Sequence, residues 1–216
     1  MNMLDTSIER PLVVIVDDDD DVRNALRELF LSVDLDATCF TSTQELLETE
    51  LPERVGCMVV DIRMPGSSGL DLQNHLMLRG DTRPIVFLTG HGDIPMTVQA
   101  MKAGAIDFLT KPVRDQALLD AVTLGIERDA AQRNSSQITK EYAERLGTLT
   151  PRERQVLKEV ANGRINKQIA FDLGISEVTV KLHRSNVMRK MQFASLGELI
   201  RAWEALPINL RVQGRT

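Results

Sequence analysis

The chain has 216 residues, 43% of them hydrophobic and 26% charged, with a net charge of −5. That is the make-up of an ordinary globular protein of one or two domains, and no apolar run approaches the roughly 18 residues a membrane helix requires. The opening Met1-Asn2-Met3-Leu4-Asp5 lacks the basic-then-apolar pattern of a secretory signal, and the only two cysteines, Cys39 and Cys57, show no C-x-x-C or Cys/His spacing, so a reduced cytoplasmic setting without membrane attachment is expected.

The charge is unevenly spread. Residues 1–128 hold 11 Lys/Arg against 22 Asp/Glu, whereas residues 129–216 hold 15 against 9. An acidic half joined to a basic half suggests a regulatory or catalytic module attached to a nucleic-acid binder.

From Leu12 to about Arg128 short apolar runs alternate with helical patterns. The runs are Leu12–Val16, Ala37–Phe40, Cys57–Val60, Ile85–Leu88 and Phe108–Thr110. The helical stretches are Val22–Val33, Gln44–Glu50, Leu70–Arg79, Pro95–Ala103 and Asp115–Arg128. This alternation predicts an α/β domain: five parallel strands in a doubly wound sheet with helices on both faces. Residues 129–147 are polar and free of proline. They read as a helical linker that extends the fifth helix, with Asn134-Ser135-Ser136 as a point of interruption; a flexible loop is the alternative.

The strands end in a telling set of groups. Five consecutive aspartates, Asp17 to Asp21, follow the first run; Asp61 follows the third, Thr89 the fourth and Lys111-Pro112 the fifth. Carboxylates at the end of a buried strand are costly unless something neutralises them, and a hard divalent cation is the usual remedy. Open parallel sheets collect their sites at the carboxyl ends of strands. Acid pair, acid, hydroxyl and ammonium in one place suit metal-assisted phosphoryl chemistry. Asp19, Asp20 and Asp21 fit better as favourable charges at a helix N-terminus. Gly90-His91-Gly92 is not a P-loop, since no Gly-Lys-Ser/Thr follows. His91 is a loop residue near the site, and His75 reads as a helix-face residue.

From Thr148 the strands stop. Thr150-Pro151-Arg152-Glu153 combines a cap residue, proline at the first helical position and glutamate at the third, and opens a helix to about Ala161. A second, about Asn166–Leu173, ends at Gly174; Ser176 caps a third, Glu177–Met191; Ser195-Leu196-Gly197-Glu198 opens a fourth, to about Ala205. Four short helices in some 60 residues make an all-α recognition module over residues 148–216.

The first half closely resembles the receiver domain of two-component response regulators, on Asp17-Asp18, Asp61 with Met64-Pro65-Gly66 behind it, Thr89 and Lys111-Pro112. The resemblance implies that Asp61 is the phosphoacceptor. A carboxylate can accept a phosphoryl group as an acyl phosphate, and the transfer is mostly positioning and charge neutralisation. It implies Mg²⁺ (or Mn²⁺) held by Asp18, Asp61 and the backbone carbonyl of Arg63, with Asp17 acting through water. Lys111 would be a point charge on the phosphoryl oxygens, aimed inward by a cis bond to Pro112. Thr89 and Phe108 would form the switch: the hydroxyl moves to the phosphoryl group and the aromatic turns inward. The face formed by the fourth helix, fifth strand and start of the fifth helix would then rearrange and pair two copies.

The second half resembles the LuxR-type helix-turn-helix of the NarL/FixJ class. The resembling run is Leu149 to Leu157, Gly163, Asn166 to Ala170, Leu173 to Ser176, Thr179 to Lys181, and His183-Arg184. One departure is Ile165, where relatives usually carry serine. Helical spacing puts Val180, Val187 and Met191 on an inward stripe and Glu177, Lys181, Leu182 and Ser185 on another. By the resemblance, Lys181, Leu182 and Ser185 reach base edges in the major groove, while Thr179, Arg184, Asn166 and Lys167 contact DNA phosphates. His183 would brace the helix, and Trp203 is read as a core or interface residue.

Together these features imply a response regulator that is not an enzyme. A sensor histidine kinase phosphorylates Asp61, the protein dimerises, and paired helix-turn-helix units bind promoter DNA, with RNA polymerase as a further partner and activation the expected effect. An aspartate-nucleophile phosphatase is the rival of enzyme class, but it would need a general acid two residues after Asp61, where Arg63 stands. Two more rivals are a constitutive DNA binder with an unphosphorylated receiver and a regulator whose output is RNA binding.

Overall fold

The computed structural model describes residues 9–90 and 94–212. They divide into two compact units, one ending at Arg133 and the other starting at Asn134.

The first unit is built on five parallel strands: β1 (Leu12–Val16), β2 (Asp36–Phe40), β3 (Gly56–Asp61), β4 (Ile85–Thr89) and β5 (Asp107–Thr110). Their order is β2-β1-β3-β4-β5. Every residue of β1, β3 and β4 is buried, as continuous apolar strands inside a two-faced sheet must be, whereas the edge strands β2 and β5 are partly open.

Successive residues of each central strand feed opposite faces. Val14, Val16, Met58, Val60 and Phe87 pack on one side, with Leu46 of α2 (Thr43–Glu48), Leu72 and Leu76 of α3 (Gly69–Arg79) and Ala100 of α4 (Ile94–Lys102). Val13, Ile15, Cys57, Val59, Val86 and Leu88 pack on the other, with Leu26 and Phe30 of α1 (Asp20–Ser32) and Leu118 and Val122 of α5 (Asp115–Gly147).

Helix α1 starts two residues before the expected Val22. The Asp19 carboxylate accepts from the Asp21 and Val22 amides, and Asp20 and Asp21 sit in the first turn, where acidic groups favour the helix dipole. Helix α5 runs unbroken through Asn134-Ser135-Ser136, and Thr139 Oγ1 donates to the Ser135 carbonyl at 2.9 Å within it.

The second unit contains the end of α5 and then α6 (Pro151–Ala161), α7 (Asn166–Leu173), α8 (Glu177–Met191) and α9 (Leu196–Ala205). A further short helix, α10 (Ile208–Val212), follows Pro207 and is not anticipated by the sequence pattern. The core joins Leu146, Leu149, Val156, Leu157, Ile169, Val187, Met191 and Leu199, with Trp203 packed against it. Tyr142 of α5 meets Phe193 edge-on, ring centroids 5.5 Å apart. The turn between α7 and α8 needs Gly174, whose φ of +63° lies in the left-handed region.

Candidate functional site

In the first unit the acidic groups converge where β1 and β3 end side by side. The strand order reverses between these two strands, the place where open α/β sheets leave a crevice. Asp17, Asp18 and Asp61 each offer an oxygen to a common point, these atoms lying within 4.8 Å of one another. Asp17 and Asp61 are buried and Asp18 is exposed. Lys111, at the end of β5, reaches between them, with Nζ 2.5 Å from Asp17 Oδ2 and 2.7 Å from Asp61 Oδ2. The remaining oxygens accept backbone amides: Asp17 Oδ1 from Asp19 at 3.1 Å, and Asp61 Oδ1 from Arg63 at 3.1 Å.

Burial pushes the Asp17 carboxyl up, against the pull of the Lys111 ammonium and the Asp19 amide. Burial alone would lower Lys111, but the Asp17 and Asp61 carboxylates outweigh it and hold the ammonium above its ordinary value. Three carboxylates thus face one ammonium, and the donors are all hard oxygens. That set fits a divalent cation of the Mg²⁺ kind, which takes few protein ligands and keeps waters.

Of the other residues expected here, Thr89, Arg63 and Pro112 stand at or just after the carboxyl ends of β4, β3 and β5. Thr89 is fully buried at the end of β4 and pairs in register with Thr110; its carbonyl accepts from the Lys111 amide at 2.7 Å. Arg63 is exposed in the loop after β3. The Lys111–Pro112 bond is cis. Phe108 is half-buried on the edge strand, packed against the first core face and in register with Phe87. His91 lies outside the described residues. His75 is an exposed helix-face residue whose Nδ1 lies 2.9 Å from the Asp71 carbonyl.

Sequence reasoning missed Arg23. Its guanidinium is buried in α1, donates to the Asp17 carbonyl at 2.5 Å and pairs with Asp20, so a cation stands behind the aspartate run. The i,i+3 spacing from Asp20 was the available signal.

In the second unit, Val180, Val187 and Met191 turn inward and are buried, which leaves Lys181, Leu182 and Ser185 exposed on the opposite side of α8. Thr179 is partly exposed, and its hydroxyl lies 2.8 Å from that of Ser176, the α8 cap. Arg184 donates to Asn166 Oδ1 at 2.7 Å, tying α8 to the start of α7, while Lys167 is exposed beside it in sequence. Gly163, Ile165, Asn166, Lys167, Glu177 and Arg184 border an open cleft of about 460 Å³. Ile165 occupies the α7 cap position and has no side-chain oxygen to offer. Only the reverse half of a capping box survives, with Gln168 Oε1 accepting from the Ile165 amide at 3.1 Å. The His183 Nδ1 atom is buried without a hydrogen-bond partner among the described residues.

Comparison with known proteins accounts for both units. Residues 13–123 match the response regulator receiver domain, and residues 147–203 match the luxR family of bacterial regulatory proteins. Nodulation protein W of Bradyrhizobium diazoefficiens is 48% identical over 93% of this chain and 88% of its own length. The transcriptional regulatory protein FixJ of Azorhizobium caulinodans is 47% identical over 88% and 90%. The solved structure of the response regulator StyR superposes with a TM-score of 0.80 at 48% identity, covering 90% of this chain and 98% of that one. The chain belongs to the response regulators of the NarL/FixJ class, which join a receiver domain to a LuxR-type helix-turn-helix. It is a phosphorylation-dependent, DNA-binding transcription regulator, which implies a histidine kinase and DNA as partners. Among the described residues no helix is long and apolar enough to cross a membrane.

Proposed function

We propose that Asp61 is the phosphoacceptor and that Lys111 and Thr89 handle the transferred group. The observation that carries this reading is the position of Lys111 Nζ, 2.7 Å from Asp61 and 2.5 Å from Asp17. An Asp61 oxygen attacks the phosphorus of a phosphohistidine; the new P–O bond forms as the P–N bond breaks, and the product is an acyl phosphate. Lys111 is the fixed positive charge for the phosphoryl oxygens. The Arg63 amide, already bonded to Asp61, holds the nucleophile's carboxylate in orientation. Asp17, Asp18, Asp61 and the Arg63 carbonyl would hold Mg²⁺ or Mn²⁺, which supplies charge neutralisation when bound.

The Thr89 hydroxyl then turns to the phosphoryl group and Phe108, half-buried before the event, turns inward. The face of α4, β5 and the start of α5 pairs with a second copy. Residues 1–128 act as the receiver, 129–147 as a helical linker, and 148–216 as the DNA-binding part. Lys181, Leu182 and Ser185 read bases, while Asn166, Lys167, Thr179 and Arg184 hold phosphates. The dimer works in the cytoplasm and acts on RNA polymerase as an activator.

The test has two parts. Labelling with acetyl phosphate and Mg²⁺ should be lost in Asp61→Ala; full labelling of that variant would overturn the assignment. Selection from a random duplex pool should enrich a paired half-site when beryllofluoride and Mg²⁺ are present. Equal enrichment without them would reduce Asp61 from switch to scaffold.

A further inference from the structure

Strand β3 carries Asp61 at its carboxyl end, and its other end is fastened to α5. The Asp129 side chain is almost wholly buried, and its Oδ2 accepts from the Gly56 amide, the first residue of β3, at 2.9 Å across 73 positions of sequence. The same oxygen accepts from Arg133 Nε, one turn further along α5, at 2.7 Å. One turn earlier on that face, Gly125 lies against Cys57: a Cβ at 125 would stand 2.6 Å from Cys57 Sγ. On its other side Gly56 is pressed to β1, where a Cβ would stand 2.1 Å from the Leu12 carbonyl oxygen.

Positions 125, 129 and 133 fall on one stripe of the helix, spaced by four. The stripe grips the first two residues of the phosphoacceptor strand by close contact and by a charged hydrogen bond. A buried carboxylate is costly unless paired, so Arg133 is a necessary part of the grip. The helix does not stop there. Its last turns belong to the DNA-binding unit: Leu146 is in that core, and Arg145 donates to the Met191 carbonyl at the end of α8, the helix that bears Lys181, at 3.3 Å.

We propose that the Asp129–Gly56 clasp is the coupling point through which the state of Asp61 is passed to the linker helix. Asp129 is a positioning residue with no part in phosphoryl transfer, lying at the opposite end of β3 from the chemistry. The proposal rests on Asp61 being the phosphoacceptor. It predicts a separation of functions: accepting phosphate needs only the carboxyl ends of the strands, whereas converting phosphate into DNA affinity also needs the clasp.

The experiment uses the full chain and two variants, Asp129→Ala and Asp129→Asn. Asparagine keeps an acceptor oxygen for the Gly56 amide, and alanine does not. Labelling by acetyl phosphate is measured beside the ratio of DNA affinities with and without beryllofluoride and Mg²⁺. Couplings of this kind run on the order of 5- to 150-fold. Asp129→Ala should label like the parent while its ratio falls to below about twofold, and Asp129→Asn should recover most of it. An unchanged ratio in Asp129→Ala would overturn the clasp and leave Asp61 untouched. A parent protein whose DNA affinity is the same in both states would overturn the clasp and the switch role of Asp61, while Asp61 as phosphoacceptor is decided by the labelling of Asp61→Ala. Hydrogen exchange on the parent protein alone gives an independent reading if alanine unfolds the receiver. Peptides covering Gly56-Cys57 and residues 126–133 should change their exchange on adding beryllofluoride; identical exchange in the two states would refute the proposal.

Discussion

Lys190 donates to the Glu153 carboxylate at 2.6 Å, so the last turn of α8 is bound to the first turn of α6. Glu153 is buried, and it also accepts from the Thr150 amide at 2.8 Å as half of a capping box. Burial alone would raise its carboxyl, but the Lys190 ammonium and the Thr150 groups outweigh that and hold it below the ordinary 4.5. A carboxyl lowered in the folded state stabilises above its unfolded pKa, and the contribution fades as pH falls through the folded value. Glu153→Gln should cost about 1–3 kcal/mol at pH 7. In urea unfolding, the gap between parent and variant should be constant from neutral pH down to about 4.5 and close below it.

Among the described residues, Lys111 is the one cation paired with both Asp17 and Asp61. Lys111→Met should slow acetyl phosphate labelling by roughly 100-fold, the usual scale for losing one charge-stabilising donor. Initial labelling rates at saturating Mg²⁺ measure this; a rate within a factor of a few of the parent would remove Lys111 from the transfer step.

The exposed face of α8 and the start of α7 should separate in binding assays. Lys181→Ala should cost about 1–3 kcal/mol and relax preference at one base position. Lys167→Ala should weaken all duplexes alike and reduce the slope of log affinity against log salt by about 1. Titrations at several salt concentrations, on the selected site and on scrambled DNA, distinguish the two.

Ile165 leaves α7 without a side-chain cap. Ile165→Ser supplies the missing oxygen and should stabilise the DNA-binding unit by about 1 kcal/mol. Denaturant unfolding followed through Trp203, which packs on that unit's core, reports it directly.

Burial pushes the Cys57 thiol up to about 12, while Cys39 is only partly buried and is raised by burial against the pull of Arg27 and Arg23. With an aromatic disulfide reagent at pH 8, Cys39 should react slowly and Cys57 only after unfolding. Fast modification of both in the native protein would contradict the packing of Gly125 on Cys57.

The parts legible in the sequence were those where a local chemical signal matches a local structural need. The apolar runs marked the buried strands, and strand ends collected the acids, Thr89 and Lys111 at the carboxyl end of the sheet. Helices α7 and α8 begin and end where Gly174 and Ser176 predict, because a left-handed glycine and a serine cap act within a turn. What escaped depended on distant partners. Asp129 sits in a polar stretch that reads as linker, and only the fold brings Gly56 to it. Arg23 looks like one more charge on a solvated helix until its guanidinium is seen turned under Asp17. The Asn134-Ser135-Ser136 step has poor helix formers, yet the helix passes through, as propensity yields when both ends are held by packing.

The sheet order also divides the proposed phosphoryl site between central strands and an edge strand. Asp17 follows and Asp61 ends a strand with a neighbour on each side, whereas Lys111 follows β5, which has one neighbour and partly open side chains. Local opening takes edge elements before central ones. The anions therefore lie at the centre of the sheet, and their counter-charge follows its edge strand. On the proposed role of Asp61, a change in its charge would be felt first at this edge, which also carries the half-buried Phe108.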